Sequence, residues 1–247
     1  TVKGQLVGKG NGGNPYAPDR SDHFPLVSQK NTVSAQLFQK AANEVGYKPY
    51  NLPSANTSGP YTNPYGAQMG PCNFCGFCSG YVCYMYSKAS PNVNILPALK
   101  PLPNFELRPN AHVIRVNLDS SKSKATGVTY IDALGREIEQ PADLVILGAF
   151  QFHNVRLMLL SGIGKPYDPI TNEGVVGRNF AYQNMGTIKA YFDKDVHTNN
   201  FIGAGGNGVA IDDFNADNFD HGPHGFVGGS PMWVNQAGSR PIAGTSN

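Results

Sequence analysis

Cys72, Cys75, Cys78 and Cys83 are all the cysteines of this chain, spaced C-x2-C-x2-C-x4-C. Two successive x2 steps let one loop wrap three sulfurs around a single centre, as in the iron–sulfur sites of bacterial ferredoxins. Zinc sites more often separate two C-x2-C pairs by a longer loop. Disulfides between cysteines three residues apart close small, strained rings. The spacing favours an iron–sulfur cluster, [3Fe-4S] or [4Fe-4S], held by three or four of the sulfurs; zinc and disulfides or free thiols stay open as alternatives. Phe74, Phe77, Tyr81, Tyr84 and Tyr86 are expected to wall this segment from water, a burial that tunes a cluster's potential through the local dielectric.

Other residues carry weaker signals. Gly8, Gly10, Gly13 and Gly203, Gly205, Gly208 both match G-x-G-x-x-G. That fingerprint binds a pyrophosphate only with a strand before it and a helix after it. Pro15 and Pro18 follow the first match and Asp212-Asp213-Phe214-Asn215 the second, so both read as loop glycines. Asp212, Asp213, Asp217, Asp220, His221 and His224 fit no compact ligand pattern and read as a solvated surface. His23, His112, His153 and His197 stand alone, the usual circumstance of a hydrogen-bonding histidine rather than a base.

The elements that must position these groups follow from pattern. Asn31 and Thr32 offer caps to a helix over 33–45, with Leu37, Phe38, Ala41, Ala42 and Val45 as its apolar stripe and Gly46 as its stop. Short β-branched or alternating runs at 105–108, 112–118, 125–131, 137–139 and 144–147 predict strands, with an antiparallel meander in the middle. Asp143–Leu147 is apolar after its first residue, runs into Gly148-Ala149 and precedes a helix over 151–160 closed by Gly162. A buried strand, small-residue turn and helix is the usual frame for a nucleotide cofactor at a sheet's carboxyl edge. A further strand is expected at 187–192.

Composition agrees with a loop-rich α/β enzyme. Among 247 residues, 29 are glycine and 19 proline, and only 15% are charged. With 19 basic and 17 acidic residues and no like-charge run, nothing suggests nucleic acid or a polybasic membrane patch. The apolar runs 144–150 and 155–160 fall short of the roughly 20 residues of a spanning helix. The chain opens on Thr1 without a signal-like segment, and that opening reads as an internal loop of a longer protein.

Several blocks resemble the middle of a glucose–methanol–choline oxidoreductase: Ser87-Lys88-Ala89-Ser90-Pro91, Ile95-Leu96-Pro97-Ala98-Leu99, Asn104-Phe105-Glu106-Leu107-Arg108, Asn110-Ala111-His112-Val113, Ala125-Thr126-Gly127-Val128, Leu157-Met158-Leu159-Leu160-Ser161-Gly162-Ile163-Gly164 and Gly174-Val175-Val176-Gly177-Arg178-Asn179. The resemblance covers at least residues 87 to 180. It departs at Phe150-Gln151-Phe152-His153-Asn154-Val155, where the family commonly has Gly-Ala-x-x-Ser-Pro. It departs again at Phe180-Ala181-Tyr182-Gln183, in place of Leu-Gln-Asp-His. With the cysteine segment, the chain resembles the bacterial gluconate, sorbitol and glucose dehydrogenase branch.

The resemblance implies a partial FAD-binding α/β domain of α+β character, lacking the N-terminal dinucleotide-binding turn. It implies FAD contacts at His112, Val113, Gly148, Ala149, His153 and Asn179, with the adenine near His112–Val113 and the phosphates near Gly148–Ala149. The expected organisation is a loop-rich segment with one helix over 1–71, a cysteine loop over 72–86, part of the FAD domain over 87–185 and the start of a substrate domain over 186–247. The implied reaction is oxidation of a sugar, sugar acid or polyol alcohol. FAD takes the hydride and the cysteine site, Cys72, Cys75, Cys78 and Cys83, relays electrons to a cytochrome c subunit alongside a small subunit. Membrane contact would come only through partners, at the periplasmic face of the bacterial inner membrane. No residue matches the family's catalytic histidine, so this stretch alone should not turn over. The rival expectations are a metal-binding electron carrier or structural module without catalysis, and an oxidase that delivers electrons to oxygen.

Overall fold

The computed structural model describes residues 13–18, 24–78, 81–198 and 202–235. Gly8, Gly10 and His23 lie outside them. The chain gathers into two compact units, one from Thr1–Phe105 with Tyr191–Asn247 and one from Glu106–Ala190.

In the first unit, helix α1 (Val33–Glu44) begins after Thr32, whose backbone is extended at φ −79° and ψ 173° but whose side chain makes no cap hydrogen bond. The expected caps have other partners: the Asn31 side chain donates to Asn51 Oδ1 at 2.7 Å, and Thr32 Oγ1 lies 3.5 Å from Ser34 Oγ. The helix ends as expected. Gly46, at φ +86°, donates to Asn43 O, and Tyr47 donates to Ala42 O, closing the last turn in a left-handed cap. The buried face is Ala35 and Ala42 with Leu37 and Phe38 half-buried, whereas Ala41 and Val45 face solvent. Two alanines bring the helix close to strand β7 (Gly208–Ile211), which is buried throughout.

That strand is the centre of an antiparallel sheet of order β1-β7-β8, with β1 at Tyr50–Asn51 and β8 at Met232–Asn235. A small β2–β3 ribbon (Tyr61–Thr62 and Gln68–Met69) precedes the cysteines. Two single-turn helices, α2 (Pro91–Asn94) and α3 (Leu96–Leu99), follow them.

The second unit contains the expected meander. Strands β4 (His112–Leu118), β5 (Ala125–Ile131) and β6 (Glu137–Pro141) pair in order, all antiparallel. Helix α4 (Phe150–Leu160) packs on β4, with Leu157 and Val116 buried. The chain is thus a mixed α/β structure, and every named strand pair is antiparallel.

Three expected strands are not formed. Residues 105–108 are diverted by Arg108, whose guanidinium pairs with Glu106 and donates to Gln140 Oε1 at 2.6 Å. Residues 143–147 and 187–192 are unpaired, and the side chains expected to be buried face outward: Ile146 is 81% exposed and Ile188 86%. A strand needs a neighbour for its ladder, and among the described residues no strand pairs with either run.

Candidate functional site

The cysteine loop is shaped by backbone that few side chains accept. Phe74 and Gly76 flank Cys75 at φ +58° and +78°, the left-handed region that is uncommon for a bulky residue. The two reversals curl the loop so that the Phe74 N–H reaches back to Cys72 Sγ at 3.4 Å. The same curl presents Cys75 to Gly203, with which it forms a parallel bridge. Gly76 N–H donates to Gly203 O at 3.2 Å and Gly203 N–H to Phe74 O at 3.3 Å. The glycines read as an idle loop are therefore a strap across the cysteines.

Gly205 continues that strap. A β-carbon there would lie 2.7 Å from Cys78 Cβ and 3.3 Å from its sulfur, so only glycine allows the approach. Asn56, itself buried, donates from Nδ2 to Cys78 Sγ at 3.7 Å. Ser54 Oγ donates to Gly205 O at 3.1 Å, tying the strap to the same wall. Lys88 Nζ donates to Cys78 O at 2.7 Å and to Tyr81 O at 3.4 Å.

All four cysteines are free thiols of intermediate burial, which removes the disulfide alternative from this structure. Burial pushes the Cys72 thiol above its ordinary value; the charges of Cys78, Cys75 and Cys83 add to that rise, while the Phe74 N–H opposes it. Among the described residues no three Cys, His, Asp or Glu side chains converge on one ligand point. In donor chemistry the loop fits a thiolate-held group: four thiols, no disulfide, and N–H donors on two of the sulfurs. Of the five aromatics expected to wall the loop, Phe74 is half-buried, whereas Phe77, Tyr81, Tyr84 and Tyr86 are exposed. Backbone and small polar side chains enclose the loop instead.

In the second unit the turn over Gly148–Ala149 is held by Asn154. Its Oδ1 accepts from the Ala149 N–H at 2.8 Å, and its Nδ2 donates to Leu147 O at 3.2 Å. Nothing lies within 4 Å of a β-carbon built at Gly148, and His153 is exposed beside it. Phe150 opens the helix at φ +66°, the strained region for a bulky side chain, at the position where the resembled family has glycine. The two departures from that family pattern meet in space: the Phe152 ring packs at a tilt against Phe150 at 5.8 Å and Phe180 at 4.9 Å, and Phe180 against Tyr182 at 6.4 Å. Asn179 adopts φ +57° just before this ladder, with an exposed side chain.

His112 and Val113 lie on β4, at the edge of its sheet, and both are exposed. Just ahead of them Arg108, Asn110, Ala111, Tyr130 and Arg136 line an open groove of about 380 Å³. The hydrogen bond and charge of Arg108 hold the Glu106 carboxyl below its ordinary value. At the other end of β4, Ser161 accepts from the Val116 N–H at 2.9 Å and donates to Leu157 O at 2.6 Å. The serine of Ser-Gly-Ile-Gly thereby pins the end of α4 to the sheet.

Among the described residues the remaining candidates form no metal-holding group. Asp212 is buried rather than solvated and accepts from Asn14 Nδ2 at 2.5 Å. His221 pairs with Asp217 and packs, with His224, against Phe219.

A GMC oxidoreductase family model matches residues 26–185. This chain belongs to the GMC oxidoreductase family. The match begins well upstream of the resembling blocks and takes in the cysteine segment. Over 244 residues, 99% of its length, the chain is 75% identical to the gluconate 2-dehydrogenase flavoprotein of Pantoea cypripedii. Over 149 residues, 60% of its length, it is 27% identical to the paromamine 6'-oxidase of Streptomyces fradiae. It spans 40% of the first relative's length and 26% of the second's. The span matched by the GMC oxidoreductase model contains the antiparallel meander, the Gly148–Ala149 turn and the Ser161 pin. Sequence pattern alone missed Asn56, Lys88 and Asn154, isolated polar residues whose partners lie across the fold. Gly203 and Gly205 carried a visible glycine signal that was assigned no role.

Proposed function

We propose that this chain is the cofactor-binding part of an FAD-dependent dehydrogenase that oxidises the C2 alcohol of a sugar acid such as gluconate. In that reading, electrons pass through an iron–sulfur centre to a cytochrome partner at the periplasmic face of the inner membrane. The observation that carries this is the 75% identity to a gluconate 2-dehydrogenase flavoprotein over 99% of the chain. When bound, FAD supplies two-electron acceptance and the cluster one-electron transfer.

The chain's own residues have distinct parts. Cys72, Cys75, Cys78 and Cys83 would hold the cluster. The Gly148–Ala149 turn, kept open by Asn154, would take the FAD phosphates, with His153 and Asn179 beside them. The edge of β4 at His112–Val113, with its groove, would meet the adenine. The segment from about residue 186 onward, whose strands β7 and β8 share a sheet with β1 in the first unit, would contribute the start of the part that receives the substrate.

The test is anaerobic purification of the full-length flavoprotein with its partner subunits, followed by flavin and metal analysis and electron paramagnetic resonance. FAD that bleaches on adding gluconate, with stoichiometric iron, is expected. Cys75→Ser should keep gluconate-dependent flavin reduction and lose most cytochrome reduction. Zinc without iron, or native cytochrome reduction by the variant, would overturn the relay. Nicotinamide without flavin would overturn the dehydrogenase reading itself.

A further inference from the structure

We propose that Lys88 and Asn56 are positioning residues that set the reduction potential of the cysteine-held centre, acting through Cys78; this rests on the iron–sulfur reading above. The two residues are tied to each other before either reaches the loop. They form an antiparallel bridge, Ala89 N–H donates to Ala55 O at 2.9 Å beside it, and Gln29 Nε2 donates to Asn56 O at 3.0 Å. From this fixed base the two side chains take Cys78 at different atoms. The Lys88 ammonium holds its carbonyl and that of Tyr81, while the Asn56 amide points at its sulfur.

Reduction adds negative charge to a thiolate-held centre. A fixed ammonium against the loop and an N–H aimed at a ligating sulfur both favour the reduced form, and both act strongly where water is partly excluded. Asn56 and the Gly203–Gly205 strap supply that exclusion, Asn56 being buried and Gly205 lying against the sulfur. Lys88 is half-buried and donates to two carbonyls of the loop, and among the described residues it pairs with no carboxylate. Its charge is therefore directed to the loop that carries Cys78 and Cys83.

The test is a redox titration of the full-length flavoprotein with its partner subunits, read by electron paramagnetic resonance beside iron content. Lys88→Gln and Asn56→Asp should each shift the midpoint to lower potential, and Lys88→Arg should restore it toward the native value. The Asn56→Asp change guards against a folding failure specific to Lys88, because it acts at the sulfur of the same cysteine rather than at its carbonyl. Native midpoints in Lys88→Gln and Asn56→Asp at native iron content would overturn the proposal. So would loss of iron with the remaining centres titrating at the native midpoint, which marks a merely structural role. A native protein without iron would refute the cluster reading, and this inference with it. Iron content thus separates the two failures.

Discussion

Gly205 and Cys78 approach so closely that a β-carbon on the glycine would stand 2.7 Å from the cysteine's own β-carbon. A contact that short forces displacement, and the strap cannot retreat because Gly203 bridges Cys75 and Gly205 O is held by Ser54. Gly205→Ala is therefore expected to lower bound iron severalfold in the full-length protein, read by metal analysis. Gly59→Ala, where nothing lies within 4 Å, should leave iron unchanged.

Ser161 joins a helix end to a strand through one hydroxyl, and Val116, whose N–H it accepts, is only 3% exposed. Ser161→Ala would strand that donor. The cost of an unsatisfied buried N–H is about 1–3 kcal/mol, to be read from the midpoint of urea unfolding. Amide exchange at Val116 should accelerate beyond that of its β4 neighbours.

Phe150 occupies φ +66° at the start of α4. Replacing it by alanine removes the ring while keeping the left-handed strain; glycine removes both. Phe150→Gly is expected to be more stable than Phe150→Ala by about 1 kcal/mol, the reverse of the usual helical order. Thermal unfolding of the two variants side by side checks the sign.

Asp132 closes the β5–β6 turn. The Arg136 N–H, then the Arg136 side chain, then the Leu134 N–H hold its carboxylate below the ordinary aspartate value. Because the folded value is depressed, this contribution is present above roughly pH 4, the unfolded range. It is lost as pH falls through the folded value. Acid unfolding followed by circular dichroism should be steeper below that range in the native chain than in Asp132→Asn.

What the sequence made legible was local. The α1 stop at Gly46, the three-strand meander and the span of α4 follow from pattern within a few residues of each element. The strands expected at 143–147 and 187–192 required partners, and pattern reports an apolar run without reporting its neighbour. The cysteines were conspicuous by type, yet their enclosure was not. Aromatic residues beside them turned outward, and the covering came from Asn56 and Gly205, far away in sequence. The Phe150 and Phe180 departures were each visible, but only the fold shows that their rings touch through Phe152.

The bridge between Cys75 and Gly203 joins residues more than a hundred positions apart. During synthesis, at roughly 5–20 residues per second, the strap leaves the ribosome on the order of ten seconds after the cysteines. For that interval four thiols hang from a nascent chain without their cover, open to oxidants and to any thiophilic ion. In the iron–sulfur reading proposed above, the lag would also be a window in which iron and sulfide meet the loop before Gly203 and Gly205 cover it. The order of emergence along the chain thus sets when the thiols lose their exposure.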